Sequence, residues 1–173
     1  MKKYIRYQYF VEGETEKKLI EEFKRAGNLI LPGSVNTLNV KQKLLTSARL
    51  ANLAENTVVI LVFDTDTDGL AVLRKNIQTL IKSRNVLDVW CVTQVKNLED
   101  ELLRSTDVHE IKELIGCRSN SDFKRDWLRE KHLLEKLKRH SFRVSVFWSS
   151  QPQGEYADIE NCGYRVKLTD VVL

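Results

Sequence analysis

The 173-residue chain has little that marks it for a membrane or an oxidising compartment. No apolar run approaches the roughly 18 residues needed to span a bilayer as a helix, so a membrane protein is not expected. Its first residues, Met1-Lys2-Lys3-Tyr4-Ile5-Arg6-Tyr7, carry basic groups but no continuous apolar stretch and no small-residue cleavage site, and no signal peptide is expected either. Cysteine is sparse: Cys91, Cys117 and Cys162 are odd in number, far apart and never spaced as CxxC. That argues against a disulfide framework or a zinc site and for reduced thiols in a cytoplasmic protein. Repeats, low-complexity runs and obvious linkers are missing, and the length suits one domain with a substantial core.

Charge of one sign is also in short supply, since the net charge is only +4. Its placement is uneven. Between Lys112 and Arg143 ten Lys/Arg face five Asp/Glu, an excess of +5 that covers the whole imbalance. The acids elsewhere concentrate at a few points. A basic flank beside an acidic pocket is what a metal-dependent enzyme acting on a polyanion needs, and a solvated amphipathic helix accounts for the flank equally well.

What is present is an alternation of strand and helix patterns. Tyr4 to Val11 reads as a first strand, Thr15 to Ala26 as a helix with Leu19, Ile20, Phe23 and Ala26 on one face, Thr37 to Val40 as a short strand, and Lys41 to Leu53 as a helix. Val58 to Phe63, six consecutive apolar residues, reads as a strand buried on both faces and so as the middle of a parallel sheet. Leu70 to Arg84 is a helix and Val86 to Val95 a fourth strand. A helix then opens on Glu99, Asp100 and Glu101. From Ser105 to His140 the pattern is helical, interrupted near Gly116 to Asn120, with Ser121 as the N-cap of a longer helix through Phe123, Trp127, Leu134 and Leu137. Phe142, Val144, Val146 and Trp148 alternate as a strand with one buried face, and Tyr164 to Leu168 reads as a last strand. The order predicts a layered α/β core over residues 1–105, with a helical and strand extension over 106–173 packed on it.

Three of the strand ends carry carboxylates: Glu12 and Glu16 after the first, Asp64, Asp66 and Asp68 after the central one, and Glu99, Asp100 and Glu101 after the fourth. In a parallel sheet these ends share one edge, where open α/β folds place their ligands. Three like charges within five residues disfavour folding unless a cation lies among them, and hard oxygen donors suit Mg²⁺. The Asp64-x-Asp66-x-Asp68-Gly69 spacing also opens like an EF-hand calcium loop. That reading fails because position twelve is Lys75 in place of a bidentate Glu, and a buried strand replaces the entering helix.

Glu12-Gly13 after one strand, with Asp64-x-Asp66-x-Asp68-Gly69 after another, resembles the Toprim domain shared by topoisomerases, primases, Toprim ribonucleases and OLD-family nucleases. Val11-Glu12-Gly13-Glu14-Thr15-Glu16 is more similar to the OLD-type and small stand-alone, defence-associated nuclease Toprims, and Asn97 with Glu101-Leu102 looks like their third acidic motif. The resemblance covers residues 4 to 105. It implies a Toprim-like Rossmannoid fold with a central, mostly parallel four-stranded sheet flanked by helices. It also implies a Mg²⁺-dependent (or Mn²⁺-dependent) nuclease with Glu12, Asp64 and Asp66 as its catalytic residues: Glu12 as the acid/base residue or a metal-bridging ligand, Asp64 and Asp66 as ligands of the catalytic ion with Asp68 assisting, and Glu16 and Glu101 supporting a second ion. A nucleic acid substrate, a separately encoded ATPase partner and a homodimer follow as expected partners, in phage defence or RNA processing. No topoisomerase tyrosine domain, primase zinc module or in-chain ATPase is recognisable. Lys124, Arg125 and Lys167 are the candidate phosphate contacts; charge pattern alone favours an exposed helix lysine for Lys124, and Lys167 reads equally as an edge-strand residue. A non-catalytic module binding a metal, a nucleotide or a partner at the same acidic edge is the alternative function.

Overall fold

The computed structural model describes residues 4–173 and has an α/β architecture. Four strands, β1 (Arg6–Val11), β2 (Ser34–Thr37), β3 (Thr57–Asp64) and β4 (Val86–Gln94), form one sheet in the order β2-β1-β3-β4, parallel at every pairing. Helices α1 (Glu14–Ala26), α2 (Ser47–Ala51) and α3 (Leu70–Ile81) lie in the crossovers, and α4 (Leu98–Ser105) follows β4. This is a Rossmann-like arrangement. The connections leave β1 toward one edge and β3 toward the other, so the sheet reverses direction between these neighbours, and their carboxyl ends frame its switch point.

The all-apolar run of β3 is explained by its two faces. Val58, Ile60 and Val62 enter one cluster with Tyr9, Val11, Leu19, Ile20 and Phe23, whereas Val59, Leu61 and Phe63 enter another with Phe10, Val40, Leu73 and Leu80. Each such side chain contributes roughly 1.5–3 kcal/mol of burial, an upper figure because unfolded chains already bury some surface. The first cluster extends into the C-terminal segment through Phe123, Trp127, Leu137, Phe142, Phe147 and Trp148. That segment holds α5 (Ile111–Ile115), α6 (Phe123–Arg129), α7 (Leu133–Arg139) and α8 (Gly163–Val166).

Several sequence expectations are corrected. The second strand is Ser34–Thr37, three residues earlier than Thr37 to Val40, because Val35 pairs with Tyr9 and is the residue that buries. The helix expected over Lys41 to Leu53 shrinks to Ser47–Ala51. Asn39 and Asn76 hold the backbone ahead of it: Asn39 Oδ1 accepts from Lys41 N, Asn76 Oδ1 accepts from Leu45 N at 2.8 Å, and Asn76 Nδ2 donates to Val40 O and Lys43 O. Side-chain amides that take up backbone groups compete with a helix, and here they win.

The single helix expected after Ser121 divides into α6 and α7. Glu130 leaves the helical region at the break, and the Lys18 ammonium donates to the freed carbonyls of Leu128 and Glu130. Neither C-terminal strand forms. Phe142 to Trp148 is a series of turns, with Val146 N and Phe147 N both donating to Arg143 O, and Trp148 at φ 54°. Around Tyr164 a short helix stands in place of the strand, leaving only isolated bridges such as Ile30 to Lys167. All three cysteines are free thiols, and no helix among the described residues is long and apolar enough to cross a membrane.

Candidate active site at the sheet switch point

Glu12 is the first residue past β1, and Asp64 is the last of β3. Val11 pairs with Val62 across these strands, so the two acids emerge side by side at the switch point. Gly13 is in ordinary extended backbone at φ −145°. Its value is space: a Cβ there would come 3.0 Å from Glu16 Oε2. Glu16, in the first turn of α1, is almost fully buried and accepts a hydrogen bond from Thr15 Oγ1 at 3.0 Å.

The structure brings Glu12, Glu16, Asp64 and Asp66 into one electrostatic neighbourhood. Burial raises the Asp64 carboxyl to about 8, with Glu12, Glu16 and Asp66 pushing the same way and only Lys41 opposing. Burial also raises Glu12, in part offset by the Lys41 ammonium, with Glu16 adding to the rise. Such shifts mark charge concentrated beyond what the protein itself neutralises. Asp64 Oδ1 accepts from Gln94 Nε2 at 3.0 Å, and Asp66 Oδ2 accepts from Asn97 Nδ2 at 2.9 Å. Asn97 is at once the N-cap of α4, taking Asp100 N on its Oδ1, so one side chain ties the acidic loop to the helix after β4. Asp68 is exposed at the loop's outer end.

Lys41 escaped the sequence reading. Its ammonium is entirely buried and donates to Asp64 O at 2.5 Å, to Thr67 O at 3.3 Å and to Thr67 Oγ1. It lies 3.4 Å from Glu12 Oε1, out of hydrogen-bonding alignment, which leaves that buried oxygen without a hydrogen-bond partner. The Tyr156 ring is 5.6 Å from the same ammonium, and its hydroxyl donates to Thr67 O at 2.7 Å. Gly69, at φ 127°, is required here, since a Cβ would meet Lys41 O at 2.5 Å. Nothing in the local pattern around Lys41 signals this role, because its partners are 23 to 115 residues away in the chain.

Other predicted residues lie elsewhere. Glu101 has a fully buried carboxylate already committed inside the fold: Oε1 accepts from Val95 N at 2.9 Å and from the Arg104 guanidinium at 2.7 Å, and Oε2 accepts from Trp148 N at 3.1 Å. The Lys167 ammonium donates to the carbonyls of Ser145 and Phe147, both at 2.9 Å. Arg125 pairs with Asp122 and Asp126. Lys124 is exposed, 3.3 Å from Glu99, on the side of the acidic edge: partial burial lowers its pKa, but Glu99, Glu16 and Asp64 together raise it. A groove lined by Ser145, Trp148, Asn161 and Lys167 includes none of Glu12, Glu16, Asp64, Asp66 and Asp68.

As they stand, no three His, Cys, Asp or Glu groups among the described residues form a ligating cluster. The donor set nevertheless fits a hard divalent cation in kind. It consists of carboxylate oxygens, Glu12 Oε1 is buried without a hydrogen bond, and the local negative charge exceeds the single ammonium. No family model, no curated protein and no solved structure matches this chain.

Proposed function

We propose that the switch-point edge binds a divalent cation, Mg²⁺ or Mn²⁺, and hydrolyses phosphodiester bonds in nucleic acid, as a Toprim-type nuclease. The observation that carries this reading is the Asp64 carboxyl, driven up to about 8 by burial among Glu12, Glu16 and Asp66 at the point where α/β sheets bind ligands. A protein without use for a cation there gains nothing from that arrangement.

The cation, when bound, supplies a polarised phosphoryl oxygen and an activated water. Glu12, Asp64 and Asp66 would be its ligands, with Asp68, at the exposed end of the loop, assisting. Gln94 holds the Asp64 carboxylate through Oδ1, which would leave Oδ2 to ligate, and Asn97 holds Asp66 through Oδ2, which would leave Oδ1. Lys41 fixes the loop backbone at Asp64 and Thr67. Lys124, exposed beside the edge, is the proposed contact to the phosphate backbone; Arg125 and Lys167 are engaged in pairs and carbonyl contacts of their own. Glu101 is assigned a structural part in place of a ligand's. DNA and RNA are both open as substrates, and a separately encoded ATPase and a homodimer remain proposed partners, in phage defence or RNA processing.

The ungathered ligand set favours a second reading, a non-catalytic module that recognises a metal, a nucleotide or a protein at the same edge. Cleavage assays with Mg²⁺ or Mn²⁺ on DNA and on structured RNA separate the two. The nuclease reading expects cleavage of at least one substrate by the wild type, reduced at least a hundredfold in Asp64→Ala and Glu12→Ala. Variants that cut as well as the wild type would move the site elsewhere, and a wild type inert on both substrates, alone and with its genomic neighbours, leaves the binding module.

A further inference from the structure

We propose that the acidic edge takes one divalent cation per chain and that the Lys41 ammonium occupies the place of a second, an inference that rests on the metal-binding reading above. The residues expected to support a second ion were Glu16 and Glu101. Glu101 is withdrawn completely, its two oxygens taken by Val95 N, Trp148 N and Arg104. Glu12, for which bridging two ions was one of the expected roles, faces the ammonium at 3.4 Å.

The surroundings of that ammonium are those of a bound cation. Three oxygens, Asp64 O, Thr67 O and Thr67 Oγ1, accept from it, Glu12 Oε1 lies beside it, and the Tyr156 ring is 5.6 Å from it. It is wholly removed from water, a cost met only where paired charge and oxygen acceptors surround it. The segment that carries it is built to stay. Asn76, itself buried, ties the backbone of Val40, Lys43 and Leu45, and Gly69 admits the Lys41 backbone where a Cβ would not fit.

A further oxygen lies against Asp64. Gln94 is fully buried with its amide against Asp64, and its Oε1 has no hydrogen-bond partner, a neutral oxygen left over beside the acids. The Lys41 ammonium is itself a buried positive charge against these acids, and a second divalent cation placed beside it would meet like charge in a low-dielectric setting.

Titration of the full-length protein with Mn²⁺ alone, followed by electron paramagnetic resonance, tests this. The expected result is one bound Mn²⁺ per chain without spin coupling between ions. Two per chain with a coupled signal would overturn the inference while leaving the metal-binding reading intact; no bound Mn²⁺ would overturn both. Lys41→Ala, which vacates the ammonium's place, is expected to bind more than one Mn²⁺ per chain. A variant folded by circular dichroism that still binds one or none shows that Lys41 acts only as a structural tether. Should the variant not fold, the wild-type stoichiometry and coupling decide alone.

Discussion

Asp64 and Glu101 are both acids at the carboxyl edge of the same sheet, yet their surroundings are opposite. Glu101 is sealed from solvent and its carboxylate meets two backbone N–H groups and a guanidinium. Asp64 has one amide donor and three acidic neighbours, and its carboxyl is pushed up to about 8. Burial is common to the two; satisfaction is not. A buried acid with every lone pair answered is part of the scaffold, whereas one surrounded by like charge marks a place that something positive completes.

The largest effect should come from breaking the satisfied member of this pair. Glu101→Ala strands Val95 N, Trp148 N and Arg104 inside the fold and is expected to cost about 3–5 kcal/mol in urea denaturation. A loss below about 1 kcal/mol would mean Glu101 is not the anchor described, and the contrast with Asp64 would fail. Asn76→Ala comes next, at about 2 kcal/mol, since it leaves buried backbone groups of the Lys41 segment unpaired. It sharpens the comparison by loosening the acidic edge from a distance: Mn²⁺ affinity should fall as well, which Glu101 variants that remain folded should not show.

Asp64→Asn should act in the opposite direction. Between the ordinary carboxyl value of 3.8 and about 8, the folded metal-free protein holds a proton at Asp64 that the unfolded chain has released. Stability therefore falls as pH rises through that window, and the penalty is complete only above about 8. Replacing the acid by Asn is expected to raise metal-free stability by at least about 1 kcal/mol at pH 9, with the gain vanishing by pH 4. Saturating Mg²⁺ should raise the wild-type Tm at pH 9 and leave that of Asp64→Asn unchanged in thermal melts. The smallest effect belongs to Lys124→Ala. Its exposed pairing with Glu99 is worth less than about 1 kcal/mol to folding. The readout is nucleic acid affinity, whose dependence on log salt should flatten by about one unit if Lys124 meets a phosphate.

The sheet and the acidic loop were legible in the chain because both are local. Six apolar residues ending in Asp64-x-Asp66-x-Asp68-Gly69 announce a doubly buried strand and its charged end without reference to anything distant. Where the expectations went astray, the deciding contacts are remote. The pattern over Lys41 to Leu53 suits a helix until Asn76 takes its backbone groups. The alternation from Phe142 to Trp148 marked Phe142, Val144 and Trp148 as buried but set Phe147, which is also buried, on the opposite face from them, and periodicity says nothing of the backbone's partner. Beyond the single antiparallel bridge of Arg143 to Val172, the backbone there is satisfied mostly in turns. Glu101 looked like a ligand of a second ion because the donors that claim it, Val95 N, Arg104 and Trp148 N 47 residues further on, are fixed only by the fold.

What the sequence determined by itself, then, is the order of buried strands and the carboxylates at their ends, since hydrophobic period and chain direction are properties of short stretches. What only the tertiary structure decided is which of those carboxylates is already answered and that Lys41 lies among them. Both depend in part on groups from distant stretches, Trp148 at Glu101 and Lys41 at Asp64, and the energy of a buried charge is set by what surrounds it in space.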